Sequence, residues 1–208
     1  MNVIYGRPMI ALTLATFLAL GDSYTIGESV PPRDRFPDVL ANRLHTHEPV
    51  IIAKTGWTTD ELDRAIDETN PKGPFDLVTL LIGVNNQYRG RTAAEYEKQF
   101  HHLLERAIGF AGGRAGRVIV ISIPDWGVTP FAAGRDGKAI AAAIDEFNAI
   151  NRREAIQAGA RYADITGISR RAGTDASLVA ADGLHPSARM YMEWLEVILP
   201  VARDAIQK

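Results

Sequence analysis

Five short apolar runs, separated by polar stretches of helical periodicity, set the strongest limit on how this chain can fold. They are TFLAL (16–20), PVIIA (49–53), FDLVTLLIG (75–83), GRVIVISIP (116–124) and, with less apolar character, ARYADIT (160–166). Their apolar residues follow one another instead of alternating, the pattern of parallel strands covered on both faces. Between them, DRFPDVLANRLHTH places Phe36, Val39, Leu40 and Leu44 at helical spacing, and TTDELDRAIDETN opens with a capping box, Thr58 to Glu61. Two longer amphipathic helices are expected in TAAEYEKQFHHLLERAIGFA and GKAIAAAIDEFNAINRREAIQAGA, the second ending at Gly159 as a C-cap. A last helix, SARMYMEWLEVILPVARDAI, contains Pro200 and is expected to kink or break there.

Such alternation predicts an α/β fold of three layers, a doubly wound, flavodoxin-like arrangement whose central sheet is mostly parallel and five-stranded, flanked by helices. The 208 residues contain no internal repeat, low-complexity tract or linker, so a single domain is expected over 16–208, preceded by an N-terminal extension over 1–15. The run Met9 to Leu20 has the length of a short signal peptide, but it ends directly in Gly-Asp-Ser without a cleavage site and spacer. It is also too short to span a membrane. A cytoplasmic location is therefore expected, with a periplasmic or secreted one as the alternative. Lys plus Arg (23) nearly balances Asp plus Glu (25), so no field favours nucleic acid or an anionic membrane, and a small-molecule partner is expected. The absence of cysteine excludes disulfides, thiolate catalysis and cysteine-bound metal. Oligomeric state is not legible.

In a doubly wound sheet, sites form at the carboxyl ends of the strands, where the strand order reverses. Four stretches fall there or in a loop that reaches that edge: Gly21-Asp22-Ser23, AKTGWTT with Gly56, GVNN with Asn85 and Asn86, and DGLHP with Asp182 and His185. Ser23 supplies an alcohol that needs a neighbouring base before it can act as a nucleophile. His45, His47, His101 and His102 lie on or at the ends of polar helical faces, whereas His185 sits in a loop-to-helix corner. Asp182, three residues earlier, can fold back onto the imidazole and fix its tautomer, the logic of a serine triad. The backbone amides of Ser23 and Gly56 and the side-chain amide of Asn85 are the donors available for an oxyanion, each worth roughly 3–4 kcal/mol in such a role. Each residue also has a purely structural reading. Ser23 could cap a helix, Gly56 supply a positive φ, Asn85 end a strand, Asp182-Gly183 make a turn, and Ser187 cap the last helix.

The ordered set GDSY, Gly56, GVNN and DGLHP resembles the SGNH hydrolases, the GDSL-type esterases and lipases. That resemblance spans Ser23 to His185 and implies metal-free, cofactor-free ester hydrolysis through an acyl-serine intermediate. It makes Ser23 the nucleophile, His185 the base, Asp182 its orienting group, and Ser23, Gly56 and Asn85 the oxyanion hole. Tyr24 stands in place of the leucine of the GDSL name, and Asn86 in place of a common aspartate that organises the loop. The motif is not the G-x-S-x-G elbow, because Thr25 follows Tyr24.

Trp126 and Phe131, after the fourth strand, together with Asn86, are candidates for a substrate rim, with sheet-edge packing the alternative for the aromatics. His101-His102 point to different sides of a helix without a further metal ligand, and Arg89-Gly90-Arg91 reads as a solvated loop. Small or short-acyl esters are the expected substrates. Carbohydrate O-acetyl esterase, lysophospholipase and thioesterase activities use the same machinery. A non-catalytic flavodoxin-like ligand-binding protein, with a phosphate cradled by GDSYTIG, is the alternative from a different class.

Overall fold

A computed structural model describes residues 14–207 of the chain. Most of the extension expected over 1–15, and the start of the apolar run from Met9, therefore lie outside the described residues. Strand β1 (Phe17–Gly21) leads into a single helical turn, α1 (Ser23–Ile26), followed by α2 (Phe36–Leu44), β2 (Val50–Ala53) and α3 (Thr59–Thr69). Strand β3 (Leu77–Leu81) precedes the short α4 (Val84–Tyr88) and the long α5 (Ala93–Phe110). The remainder is β4 (Val118–Ile121), α6 (Gly137–Ala158), β5 (Arg161–Ala163), α7 (Thr166–Arg170) and α8 (Ala188–Gln207). The five strands pair in parallel, in the order β2-β1-β3-β4-β5.

Packing explains why the apolar runs become strands. Every residue of β1, β3 and β4 is buried, because α2 and α8 cover one face of the sheet while α3, α5 and α6 cover the other. The edge strands β2 and β5 are only partly buried, which is why ARYADIT carries the weakest apolar signal. β1 pairs with β2 on one side and with β3 on the other. The strand order thus reverses at the carboxyl end of β1, directly before Ser23. Glycine is required at the last β1 position: a Cβ on Gly21 would lie 2.4 Å from the Leu81 carbonyl oxygen and 2.2 Å from Thr25 Oγ1.

Two local expectations change. α8 runs without interruption through Pro200, which lies on its exposed face, where water can satisfy the carbonyl that proline leaves unpaired. The cap of the first turn is Asp22 and not Ser23: the Asp22 carboxylate accepts the Tyr24 amide at 3.0 Å, which places Ser23 at the first helical position. Ser187 does cap α8, accepting the Met190 amide at 3.3 Å. Gly159 closes α6 in a left-handed conformation, as its position predicts. No described helix is long and apolar enough to cross a membrane.

Candidate active site

Ser23 sits at the start of α1 with its side chain at the wall of a cavity of about 150 Å³. Its position at the first turn leaves its amide among those that a helix start does not pair internally. Asp22 beside it is fully buried; burial pushes its carboxyl up to about 7, against the lowering effect of the Tyr24 amide. Among the described residues, the second oxygen of that carboxyl has no hydrogen-bond partner. Tyr24 is buried as well, and its carbonyl accepts the Tyr191 hydroxyl of α8 at 2.9 Å. Its ring meets the His185 imidazole edge-on at a centroid distance of 5.7 Å. The residue that departs from the GDSL name is thus a wall against which the imidazole rests.

His185 is brought to the same cavity by the turn before α8. Val179 bridges Pro186, the Ala180 amide donates to the His185 carbonyl at 2.8 Å, and Gly183 supplies the tight reversal between them. Asp182 folds back as the spacing predicts. Its Oδ1 accepts the Leu184 and His185 amides at 2.9 and 3.0 Å, and its Oδ2 faces His185 Nδ1 at 2.6 Å. An ionised carboxylate only accepts, so Nδ1 carries a proton, and in the neutral imidazole the lone pair is then on Nε2. Partial burial would raise the Asp182 carboxyl. Hydrogen bonds from Ser29, His185 and the two amides outweigh it and hold that group well below the usual carboxylate range. Ser29 Oγ, at 2.6 Å from Oδ2, is a partner that sequence reasoning missed; it lies 153 residues away and no periodicity connects the two.

Gly56 and Asn85 complete the ring around the cavity. Gly56 adopts φ 88°, and a Cβ there would meet nothing closer than Arg89 Nη2 at 3.9 Å. Backbone conformation, and not space, is what calls for glycine. Its amide has no acceptor among the described residues. Asn85 Nδ2 donates one hydrogen to the Trp57 carbonyl at 2.9 Å, which aims the side chain and leaves the second N–H for a ligand. Arg89 Nη2 donates to the Gly56 carbonyl at 2.6 Å, while its Nη1 pairs with Glu61 at 3.3 Å. Arg91 pairs with Asp60 and Glu95 at 3.1 and 2.8 Å. The expected solvated loop is therefore an anchored one that holds the Gly56 segment.

Asn86 does not belong to the rim. Adjacent residues in a helix point about 100° apart, so with Asn85 facing the cavity Asn86 turns inward. It is fully buried, accepting the Thr59 amide at 3.0 Å and donating to Thr59 Oγ1 at 2.7 Å. It ties α4 to the start of α3, so in this chain an uncharged amide organises the loop. Trp126 and Phe131 do line the cavity, with Tyr88 between them at 5.4 and 6.1 Å between ring centroids. Trp126 Nε1 donates to Gln87 at 2.8 Å, and the Phe131 amide donates to the Gly183 carbonyl of the His185 turn at 2.9 Å. Ser23 and His185 share this cavity without a hydrogen bond between them. His101 and His102 are exposed and lie 2.8 and 3.4 Å from Glu154 and Asp63, away from the cavity.

A family model described as the GDSL-like lipase/acylhydrolase family matches residues 19–192, a span that contains every residue of the site. The chain belongs to that family. As a GDSL-like hydrolase it is an enzyme of the esterase and lipase type, which decides against the non-catalytic ligand-binding alternative. No curated protein matches the chain. Among solved structures, a lipolytic G-D-S-L protein from Veillonella parvula superimposes with a TM-score of 0.67 at 18% identity, covering 92% of this chain and 96% of that one. TesA gives 0.70 at 19% identity, covering 91% and 99%. An acetylxylan esterase from Geobacillus stearothermophilus gives 0.65 at 16%, covering 93% and 94%. At these identities the similarity shows that the GDSL-like chain shares their α/β fold with its parallel sheet.

Proposed function

We propose that the chain hydrolyses small carboxylic esters with short acyl groups. Ser23 is the nucleophile, His185 the base and then the acid, and Asp182 the residue that orients it. The observation that carries this reading is the His185 Nδ1–Asp182 Oδ2 contact at the wall of the cavity shared with Ser23, Gly56 and Asn85. With Nδ1–H directed to Asp182, Nε2 accepts the Ser23 proton as Oγ bonds to the acyl carbon and the carbonyl electron pair moves onto oxygen. That oxyanion faces the Ser23 and Gly56 amides and the second N–H of Asn85. Collapse restores the carbonyl, breaks the ester C–O bond and passes the proton from His185 to the leaving alkoxide. Water then repeats the sequence on the acyl-serine and releases the acid. The Ser23–His185 hydrogen bond belongs to the substrate complex, since such bonds often tighten only there.

Cavity size supports a short acyl group. About 150 Å³ is the volume that holds a benzene-sized molecule, roughly six heavy atoms. A butyryl group is held within that volume, whereas a long fatty-acyl chain would run out of the open mouth into solvent and gain little from the cavity. O-acetylated carbohydrates satisfy the same limit, and one solved structure of similar fold is an acetylxylan esterase, so they form the second reading. The test is covalent labelling by a fluorophosphonate, followed by turnover of p-nitrophenyl esters from acetyl to dodecanoyl beside an acetylated xylo-oligosaccharide. Labelling at Ser23, its loss in Ser23→Ala, and kcat/KM falling beyond butyryl are the expected results. Unlabelled Ser23, or full turnover by a folded Ser23→Ala variant, rejects the assignment.

A further inference from the structure

The cavity mouth carries a guanidinium that the reaction above does not use. Arg135 lies in the exposed turn just before Asp136, the N-cap of α6. Its guanidinium carbon is 5.1 Å from the Tyr88 ring centroid, 5.3 Å from Trp126 and 5.6 Å from Phe131. Its Nη2 donates to the Tyr88 hydroxyl at 3.3 Å. All three rings line the catalytic cavity, and Tyr88 and Phe131 stay 44% and 43% exposed. One cation is thus spread across the aromatic entrance to the site.

Among the described residues this cation has no carboxylate partner. The arginines around it do: Arg89 pairs with Glu61, and Arg170 with Asp125 and Asp145. Asp136, the acidic neighbour in sequence, turns its Oδ1 to the Lys138 and Ala139 amides at 3.0 Å each. Beyond Arg135 the surface continues as a groove lined by Lys138 and Arg170 and by Asp125 and Asp136. Both acids in it are already occupied, Asp125 by Arg170 at 2.9 Å. The guanidinium sits within cation–π distance of the rings, and apart from the N–H given to the Tyr88 hydroxyl its donors have no acceptor among the described residues, so they are available to an anion.

We propose that Arg135 is a specificity residue, selecting acyl esters whose alcohol portion carries a carboxylate or phosphate. The short acyl group occupies the cavity, the alcohol portion passes over Tyr88 and Phe131, and its anion meets the edge of Arg135. This rests on the reading of Ser23 and its cavity given above.

The acetate esters of 4-hydroxybenzoate and 4-hydroxybenzamide share a shape and differ in charge, and the acetate of 4-hydroxyphenyl phosphate adds a phosphate arm. Differences in intrinsic reactivity cancel when the anionic-to-neutral ratio of kcat/KM is compared between wild type and Arg135→Gln at one pH. That ratio is expected to fall about five- to tenfold in Arg135→Gln, mainly through KM, for at least one of the two anions, and the larger fall identifies the preferred one. Arg135→Lys is expected to keep part of the preference, since it retains the charge but not the fork. Unchanged ratios for both anions in Arg135→Gln overturn the proposal. Failure of the underlying reading looks different: neither the neutral nor the anionic esters turn over and fluorophosphonate does not label Ser23, which removes the proposal with it.

Discussion

Ser29 Oγ and His185 Nδ1 meet the same oxygen of Asp182, each at 2.6 Å. Ser29 takes a positive φ of 67° to do so, so the stretch after the nucleophile is shaped to reach the turn that carries the base. It acts through Asp182 as a positioning residue.

Ser29→Ala should therefore lower kcat by about three- to tenfold and leave KM nearly unchanged, because orientation of His185 matters most in the transition state. It should also cost about 1 kcal/mol of stability at pH 7, less than a buried charged hydrogen bond, because water screens the partly exposed Asp182. The sign with pH follows from a carboxyl held low by the fold. Its contribution is present above the ordinary value of 3.8 and is lost as pH falls through the lower folded value. The unfolded chain titrates alike in both proteins, so in denaturant titrations the stability gap between wild type and Ser29→Ala should hold from pH 7 through the ordinary value of 3.8 and narrow only as pH falls toward the low folded value. A gap that already closes between pH 7 and pH 5 contradicts a bond to a carboxyl held low by the fold.

Asp22 has the opposite sign. Burial raises its carboxyl from 3.8 to about 7, so the fold favours the protonated form. This contribution is complete below 3.8 and disappears as pH rises through about 7, at a cost on the order of a few kcal/mol. Asp22→Asn keeps an oxygen for the Tyr24 amide and removes the charge. Between pH 4 and 7 the stability of the variant should gain on that of wild type, and above 7 the difference should level off. Parallel pH curves for the two proteins would show that the buried carboxyl does not titrate in this window.

The two donors outside α1 fail in different ways when changed. Asn85→Ala removes an N–H aimed at the oxyanion, and a loss in kcat of about 100- to 1,000-fold is expected with little change in KM. Gly56→Ala meets open space but forces alanine to φ 88°, so it should cost about 1–2 kcal/mol of stability in addition to activity. Thermal unfolding of the two variants separates the effects: Asn85→Ala should melt close to wild type and Gly56→Ala several degrees lower.

Much of this arrangement is legible in the sequence because it rests on local rules. Burial on both faces writes β1, β3 and β4 as continuous apolar runs, and a βα alternation places Ser23, Gly56 and Asn85 at one edge of the sheet. Asp182 and His185 fit within one turn, so their contact follows from spacing alone. What sequence reasoning missed depends on where loops meet. The contact of Ser29 with Asp182 joins segments 153 residues apart, and Arg89 reaches Gly56 across 33. Asn86 was misplaced because its face depends on where α4 begins, a choice made by Gly83 and not by apolar periodicity. Pro200 survives inside α8 because it faces water, which only the packing of that helix decides.

Arg89 carries the last expectation. Its hold on the Gly56 carbonyl and the bond from Asn85 to the Trp57 carbonyl stitch two successive peptides to the segment around α4. The two oxyanion donors are thereby fixed relative to each other before substrate arrives, and a site preorganised in this way spends no energy reorienting during the reaction. Arg89→Ala should lower kcat by about tenfold, with KM changing less than twofold. Arg89 touches no substrate in this account, so the loss should be equal for neutral and anionic esters, unlike the charge-selective loss expected of Arg135→Gln. Arg89→Lys offers a single point charge in place of a fork shared between Gly56 and Glu61, and should recover only part of the rate. A loss confined to anionic esters would move Arg89 from the support of Gly56 to the recognition of substrate.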